Sequence, residues 1–555
     1  MLKYRKYKVS FLVAICWMAL IASCSKSKEL AEDPYAGGKQ VLPISFVSKT
    51  TDPDIVDPGY TLDLKVNGLL KFKDKFKLYI NEIEAEVVNF SDSTIRFIVP
   101  EKASTGSIWI TVDEQTFFGP IIKIGGKVAV DQTFKIVNGA GRLSGSGQAT
   151  VFDAEQLPNG RFWLVGAFDN FELKGTELVP NGGIAQIDGA GAYSTSDINF
   201  GKGVFGGMKT IYSINRINNG TQNGSYIIAG NFSAYNSTRS NRQTISNITR
   251  LTAKGELDTI VTNAIVNPKP SETWKNIDTV PSFNGGVDGV IRKTFIFDEK
   301  IYAVGNFQNY RRIYYPNSTY DDKVYDVTRM LQMVRMNMDG SMDSTFHYNE
   351  STHQSAMAGN GVITDAMMQS DGKLVLVGNF TTFNGISANR IVRINLDGSV
   401  DHTFQAGTGA DGDIYSIRYS ENSKKIILSG VFKSFNGKSA SGITLLNADG
   451  SLDNTFRGEE ISGGSATFAA QLNSGKILVT GSFNKYGDYL RQGFMVLNPD
   501  GTLAQGYNNT GGFQGRVYDM IESLTSAGSQ VVLVGDIIRF NSMLPHNVLR
   551  IDIEN

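Results

Sequence analysis

Cysteine is almost absent: Cys16 and Cys24 are the two in 555 residues, which excludes a disulfide-stapled scaffold. The four histidines, His347, His353, His402 and His546, show no helix-borne pair spacing, so neither a transition-metal site nor a cofactor is expected. Charge of neither sign dominates. Fifty-three Lys and Arg stand against 54 Asp and Glu, leaving no broad basic footprint for nucleic acid. Proline is sparse, 14 against 59 glycines, which suggests many tight turns rather than long helices. With 41% hydrophobic and 19% charged residues the chain can bury a core, so global disorder is excluded. Its length calls for a small domain joined to a large one, or for a repeat array.

Lys3, Arg5, Lys6 and Lys8 precede an apolar run of 13 residues, Val9 to Ile21. A mature spanning helix needs about 20, whereas a signal-peptide core does not. The run ends in Ile21-Ala22-Ser23-Cys24, which resembles the lipobox of bacterial lipoproteins. The resemblance implies removal of residues 1–23 and acylation of Cys24, and acyl chains anchor a protein without a transmembrane helix. The processed chain keeps 49 basic against 54 acidic side chains. Residues 24–40 read as a polar tether. A mixed-charge tether behind a lipid-bearing Cys is similar to that of surface-exported lipoproteins of the Bacteroidetes kind. The expected address is therefore the outer membrane, facing outward.

Residues 41–126 alternate with period two in Thr61–Val66, Lys77–Ile80, Thr94–Val99 and Ile108–Val112, with turn residues between. About 85 residues of this kind suit an immunoglobulin-like β-sandwich. Pro58-Gly59, Ser91-Asp92-Ser93, Val99-Pro100, Thr105-Gly106 and Gly119-Pro120 punctuate the strands in an order that resembles an IPT/TIG domain. The resemblance implies a spacer or interaction module. Trp109, on an alternating strand, is expected in the core.

Residues 130–555 repeat. A strand ending in glycine recurs at Gly166, Gly230, Gly305, Gly378, Gly430, Gly481 and Gly535, spaced 64, 75, 73, 52, 51 and 54 residues apart. Each interval holds four short strands, the content of a propeller blade. An Asp-x-x-aromatic mark closes the units at Asp197/Phe200, Asp343/Phe346, Asp401/Phe404 and Asp453/Phe456, degraded to Asp258/Val261 and Ala504/Tyr507. A spare copy, Asp131-Gln-Thr-Phe134, stands before the first unit and none follows the seventh. The offset predicts an all-β chain ending in a seven-bladed β-propeller, closed by a strand near 131–137 and thus free of open edges. These residues resemble the delta-60 repeat propellers of bacterial lipoproteins, whose layout often accompanies polysaccharide uptake.

Asn-x-Asp-Gly-Ser-x-Asp, as at Asn395–Asp401, could pass for a calcium loop. The repeats argue for a turn: glycine persists at Gly255, Gly340, Gly398, Gly450 and Gly501, whereas Lys254 and Ala504 replace carboxylates. Gly437-Lys438-Ser439 lacks the leading glycine and the helix of a phosphate loop, and no Gly-x-Ser-x-Gly elbow occurs. No catalytic residue and no metal ligand is therefore singled out. The breaks in the repeat are the functional lead. Insertions near 262–288, with Trp274, and 308–328, with Tyr310, Arg311, Arg312, Tyr314, Tyr315, Tyr320 and Tyr325, offer aromatic faces for sugars or a protein. Trp274, Tyr310, Tyr314, Tyr315 and Tyr320 are the candidate ligand contacts. The expected role is non-catalytic binding or scaffolding, with a polysaccharide or an uptake-system protein as partner and the membrane held through the lipid. The alternative is a glycoside hydrolase or lyase with acids at the central channel.

Overall fold

The computed structural model describes residues 40–73, 75–144, 147–237, 244–262 and 273–555. Cys24, the signal segment and the tether up to residue 39 lie outside the described residues. Among those described there is no α-helix, only short 3-10 turns such as Leu70–Phe72 and Tyr315–Asn317. The chain is all-β.

Two sheets form the N-terminal sandwich. One orders Ser45–Phe46, Thr61–Asn67, Thr94–Ile98 and Glu86–Phe90; the other orders Ile55–Val56, Gln115–Ile124, Gly106–Val112, Phe76–Ile80 and Ile83–Glu84. Alternation decides which side chains face inward: Leu62, Leu64, Val66, Ile95, Phe97, Ile108, Ile110 and Val112 are buried together. Each contributes roughly 1.5–3 kcal/mol of transfer free energy. Trp109 corrects the sequence expectation. It has the opposite parity to Ile108 and Ile110, so it stands on the outer face, stacked on Tyr79 at 5.7 Å and in register with exposed Phe118. The pattern misled because both faces of this strand pair carry apolar residues, Ile121 among them.

Seven antiparallel sheets follow among the described residues, each with three strands paired in chain order; in all but the last, short strands of the connecting segment come between the second and the third. Their innermost strands are Thr150–Gln156, Thr210–Arg216, Val290–Phe297, Ile363–Met368, Ile414–Ser420, Ala466–Gln471 and Phe513–Leu524. Each inner strand packs against the inner strand of the next sheet, and the seventh packs against the first. The result is a β-propeller whose inner strands surround a channel. The seventh sheet takes its outer strand from the other end of the propeller: Val128–Val130 pairs antiparallel with Val548–Glu554. The closing strand therefore lies before residues 131–137 rather than within them. Asp131 ends it, because the Thr133 N–H and Oγ1 donate to Asp131 Oδ1 at 2.7 and 2.6 Å and bend the chain there.

The Asp-x-x-aromatic mark is half of a clamp. Asp258, Asp343 and Asp401 each pair with an arginine eight residues earlier, Arg250, Arg335 and Arg393, at 2.7, 2.9 and 2.8 Å. Asp131 makes the same pair with Arg550 at 2.7 Å across the closure. These cations and the turn donors hold the carboxyls of Asp343 and Asp401 well below the usual range, despite burial. Where the arginine is lost, the acid either changes too or takes another cation. Sheet six has Val496 and Ala504 in these places, and in sheet five Leu445 stands for the arginine while Lys425 reaches Asp453 at 2.8 Å. Sheet one is neutral, with Gln186 beside Ser194. Asp197 sits outside this register and pairs instead with Arg161. A buried charge is costly alone and tolerable in a pair, which accounts for the joint loss.

Candidate functional site

The site begins with the repeated glycine. In every inner strand the ladder slips by one residue at the same place, for instance between Val151 and Asp153, Ile363 and Asp365, and Val517 and Asp519. This is a β-bulge, which bends a strand and re-aims a side chain. Opposite each bulge lies the repeat glycine. A Cβ there would stand 2.0–2.2 Å from a carbonyl oxygen of the inner strand, as Gly378 would from Val362 O and Gly430 from Asp413 O. Glycine is required by that approach, not by its dihedrals. The extra residue of each bulge, Phe152, Tyr212, Arg292, Thr364, Tyr415, Thr467 or Tyr518, turns into the channel, and all seven line one cavity of about 310 Å³.

Six side chains form an arc around this mouth. Phe152 sits 4.6 Å from Tyr212 and 4.8 Å from Tyr518. Arg292 lies over Tyr212 at 4.6 Å, and Arg516 lies between Tyr518 at 5.0 Å and Tyr415 at 5.4 Å. Three rings in a row are thus flanked by the two guanidiniums, each cation over the face of a π system. Burial raises the Tyr518 hydroxyl pKa, against the opposing pull of Arg516. Thr364 completes the ring with its Oγ1 donated to Ile414 O at 2.6 Å.

Arg418 ties three sheets together next to this cavity. From sheet five it donates to Asp365 Oδ2 at 2.8 Å and to Tyr518 O, and lies 3.8 Å from Asp519, so it bridges sheets four, five and seven. Below it a second cavity of about 270 Å³ is lined in part by Asp153, Lys293, Arg418 and Asp519. Asp153 and Asp365 are staples between sheets. Asp153 accepts the Ala154 and Ile214 N–H groups at 3.2 and 3.0 Å, and Asp365 accepts those of Ala366 and Ile417 at 2.9 and 3.1 Å. Burial, then hydrogen-bonded Asp519, raises the Asp153 pKa against Lys293 3.9 Å away. Glu155, further down, is pushed up to about 7, chiefly by burial.

The residues expected from sequence sit elsewhere. Tyr310 is buried, 2% exposed, and donates to Gly340 O at 2.8 Å. It is the repeat's own aromatic, as Tyr235 to Gly255 O and Tyr486 to Gly501 O repeat the bond. It is therefore core and not a ligand contact. Tyr314 is 44% exposed, at the tip of the hairpin Asn309–Ile313 and Tyr325–Arg329. The Tyr315 hydroxyl is buried and its pKa raised by burial. Tyr320 is half-buried beside Lys323, which donates to its carbonyl, and Arg311 stacks on Tyr325 at 4.1 Å. The Trp274 side chain lies outside the described residues. The two insertions do meet: Lys323 pairs with buried Asp278 at 2.7 Å, and Lys275 with Asp321 at 3.0 Å. Tyr310, Tyr314, Tyr315 and Tyr320 do not line the channel cavity. The turn reading of the Asp-Gly motif agrees with the geometry, since Gly398 has φ +85° and Asp397 Oδ1 accepts the Ser399 N–H and Oγ at 2.9 and 2.7 Å. The channel ring was missed, although a signal existed. A small aliphatic residue followed by the channel residue precedes every repeat glycine, as in Ile211-Tyr212, Ile291-Arg292 and Val517-Tyr518.

Three segments, residues 369–404, 422–456 and 472–503, match the family model described as "Domain of unknown function (DUF5122) beta-propeller". They fall on sheets four to six. Residues 20–120 match the model described as "Domain of unknown function (DUF5008)". No curated protein matches the chain. Among solved structures, the WD40 β-propeller domain of Doa1 is 13% identical, covering 74% of this chain and 94% of its own, with a TM-score of 0.38. An auxiliary nutrient binding protein from Bacteroides thetaiotaomicron is 13% identical, covering 92% and 98%, with a TM-score of 0.31. The chain carries a DUF5122 β-propeller region behind a DUF5008 domain.

Proposed function

We propose that this protein is an outer-membrane lipoprotein, anchored through Cys24 and facing outward, that binds polysaccharide at the mouth of its propeller channel and does not cleave it. In this reading the seven sheets are the seven blades of a delta-60-type propeller, held from the membrane by an IPT/TIG-like spacer. The arc of Tyr212, Phe152, Tyr518 and Tyr415, interleaved with Arg292 and Arg516 over a cavity of about 310 Å³, carries the reading. Flat apolar faces with polar tips suit pyranose rings. The sandwich leans on sheets six and seven through Thr105 N–H to Asn509 O at 2.9 Å and Lys485 to Glu82 at 3.2 Å.

Hydrolysis needs two carboxyls about 5–10 Å apart with room between them for a sugar and water. The channel acids are spent otherwise. Asp153 accepts two backbone N–H groups and faces Lys293 at 3.9 Å, and Asp365 holds Arg418. The test is affinity electrophoresis of the full chain through gels containing a panel of polysaccharides, with reducing sugar assayed alongside. Retardation without sugar release is expected, and Tyr212→Ala with Tyr518→Ala removes it. Sugar release would make the protein an enzyme, and no retardation by any polymer would refute the binding role.

A further inference from the structure

The two arginines of the arc are short of partners. Neither guanidinium donates a hydrogen bond to, or pairs with a carboxylate among, the described residues, and the buried Nε of both Arg292 and Arg516 has no acceptor. Every other cation near the channel is matched: Lys293 faces Asp153 and Arg418 holds Asp365. Asp536, opposite Arg516 in the ladder, accepts instead from Gln148 Nε2 at 2.6 Å. Arg292 and Arg516 both line the cavity of about 310 Å³, at either end of the Tyr212, Phe152 and Tyr518 rings. Two guanidiniums that lie over rings, line one cavity and have no carboxylate partner among the described residues suit an oxyanion.

Resting on the binding reading above, we infer that the sugar bound at this mouth carries an anionic group, a carboxylate or a sulfate ester, held between Arg292 and Arg516 while its ring stacks on the neighbouring tyrosines. The unpaired charge is otherwise unexplained. A neutral glycan would leave both cations without a counter-charge, which an anion supplies.

The test is calorimetric titration of the full chain in detergent with matched polymers: polygalacturonate against its carboxyl-reduced form, and dextran sulfate against dextran. The acidic member of at least one pair binds roughly 100-fold more tightly, with affinity falling as salt rises, and which pair responds separates carboxylate from sulfate. Arg292→Gln with Arg516→Gln abolishes the preference and leaves weak binding of the neutral polymer. Arg292→Lys with Arg516→Lys, which keeps the charge, holds part of it and covers the case in which the glutamine pair fails to fold. Equal binding of acidic and neutral members, lost in Tyr212→Ala with Tyr518→Ala, overturns the anion inference while the binding reading stands. Binding of no polymer overturns both. Arginine-dependent binding of polyglutamate as tight as that of the acidic glycans overturns the sugar.

Discussion

Closing a ring of repeats with a strand from the other end places a specific load on Asp131. Its carboxylate accepts from the Thr133 N–H and Oγ1, from Gln530 Nε2 at 3.2 Å and from Arg550 Nε at 2.7 Å. The Asp131 side chain is 4% exposed and that of Arg550 11%. Asp131→Ala therefore leaves a nearly buried guanidinium unpaired, which costs about 3–5 kcal/mol. Unfolding entropy is about 2.1 cal/mol/K per residue, so for roughly 430 propeller residues the melting temperature falls by about 3–5 °C. The double variant Arg550→Val with Asp131→Ala copies the Val496/Ala504 pair of sheet six. It loses the turn cap and the stacking of Arg550 on Phe134 at 4.5 Å, together about 1–2 kcal/mol. The double variant should thus be more stable than Asp131→Ala alone, by about 2 kcal/mol in a denaturant titration. A double variant no more stable than the single one would refute the claim that charge pairing, rather than the turn, holds the closure.

Gly430→Ala forces a Cβ to within 2.2 Å of Asp413 O and should cost about 1–3 kcal/mol in chemical denaturation, with loss of polysaccharide retention as Tyr415 moves. Gly437→Ala has φ +71° and no atom within 4 Å, so only the left-handed backbone is strained, at about 1–2 kcal/mol with retention kept. His347 is 5% exposed and burial lowers its pKa from 6.5 to about 4. The folded state therefore holds it neutral. Its contribution is intact above pH 6.5 and is lost as pH falls toward 4, about 2 kcal/mol by pH 5. His347→Gln, the residue at the matching place Gln405, should flatten that stretch of the stability profile; an unchanged slope between pH 7 and pH 5 would exclude His347 as its source. Cys24→Ala should move the protein from the membrane to the soluble fraction, and retention in the membrane fraction would rule out the lipid anchor.

What could be read from the sequence was whatever repeats along one strand. The recurring glycines, the Asp-x-x-aromatic mark and the alternation in Thr61–Asn67 each lie within a single stretch of chain, and the sheets follow them. The bulge was not legible, because it is a mismatch in count between two strands and appears only when Ile363 is set against Gly378 and Asp365 against Val377. The arginine of the clamp was in view at Arg250, Arg335 and Arg393, eight residues before its acid, yet it reads as one more polar residue on an alternating strand. Tyr310 looked like part of an insertion because no Asn-Gly follows it, although Gly305-Asn-Phe307 before it matches Gly378-Asn-Phe380.

The bulge also explains why a site can arise on a repeat at all. The glycine, the aliphatic residue opposite it and the staple that follows are bound by contacts that every sheet must make. Val151, Ile211, Ile291, Ile363 and Ile414 vary little in size, and each is fully buried. The bulge residue makes no ladder pair and points away from both neighbouring sheets' cores, so the fold tolerates phenylalanine, tyrosine, arginine or threonine there. Seven nearly identical backbones thus present seven side chains that packing does not dictate, all aimed at one cavity. Recognition is then concentrated where the repeat places no demand. The same reasoning says why the aromatic insertions drew attention first: a long loop is conspicuous in sequence, whereas a one-residue slip, repeated seven times, leaves the period unchanged.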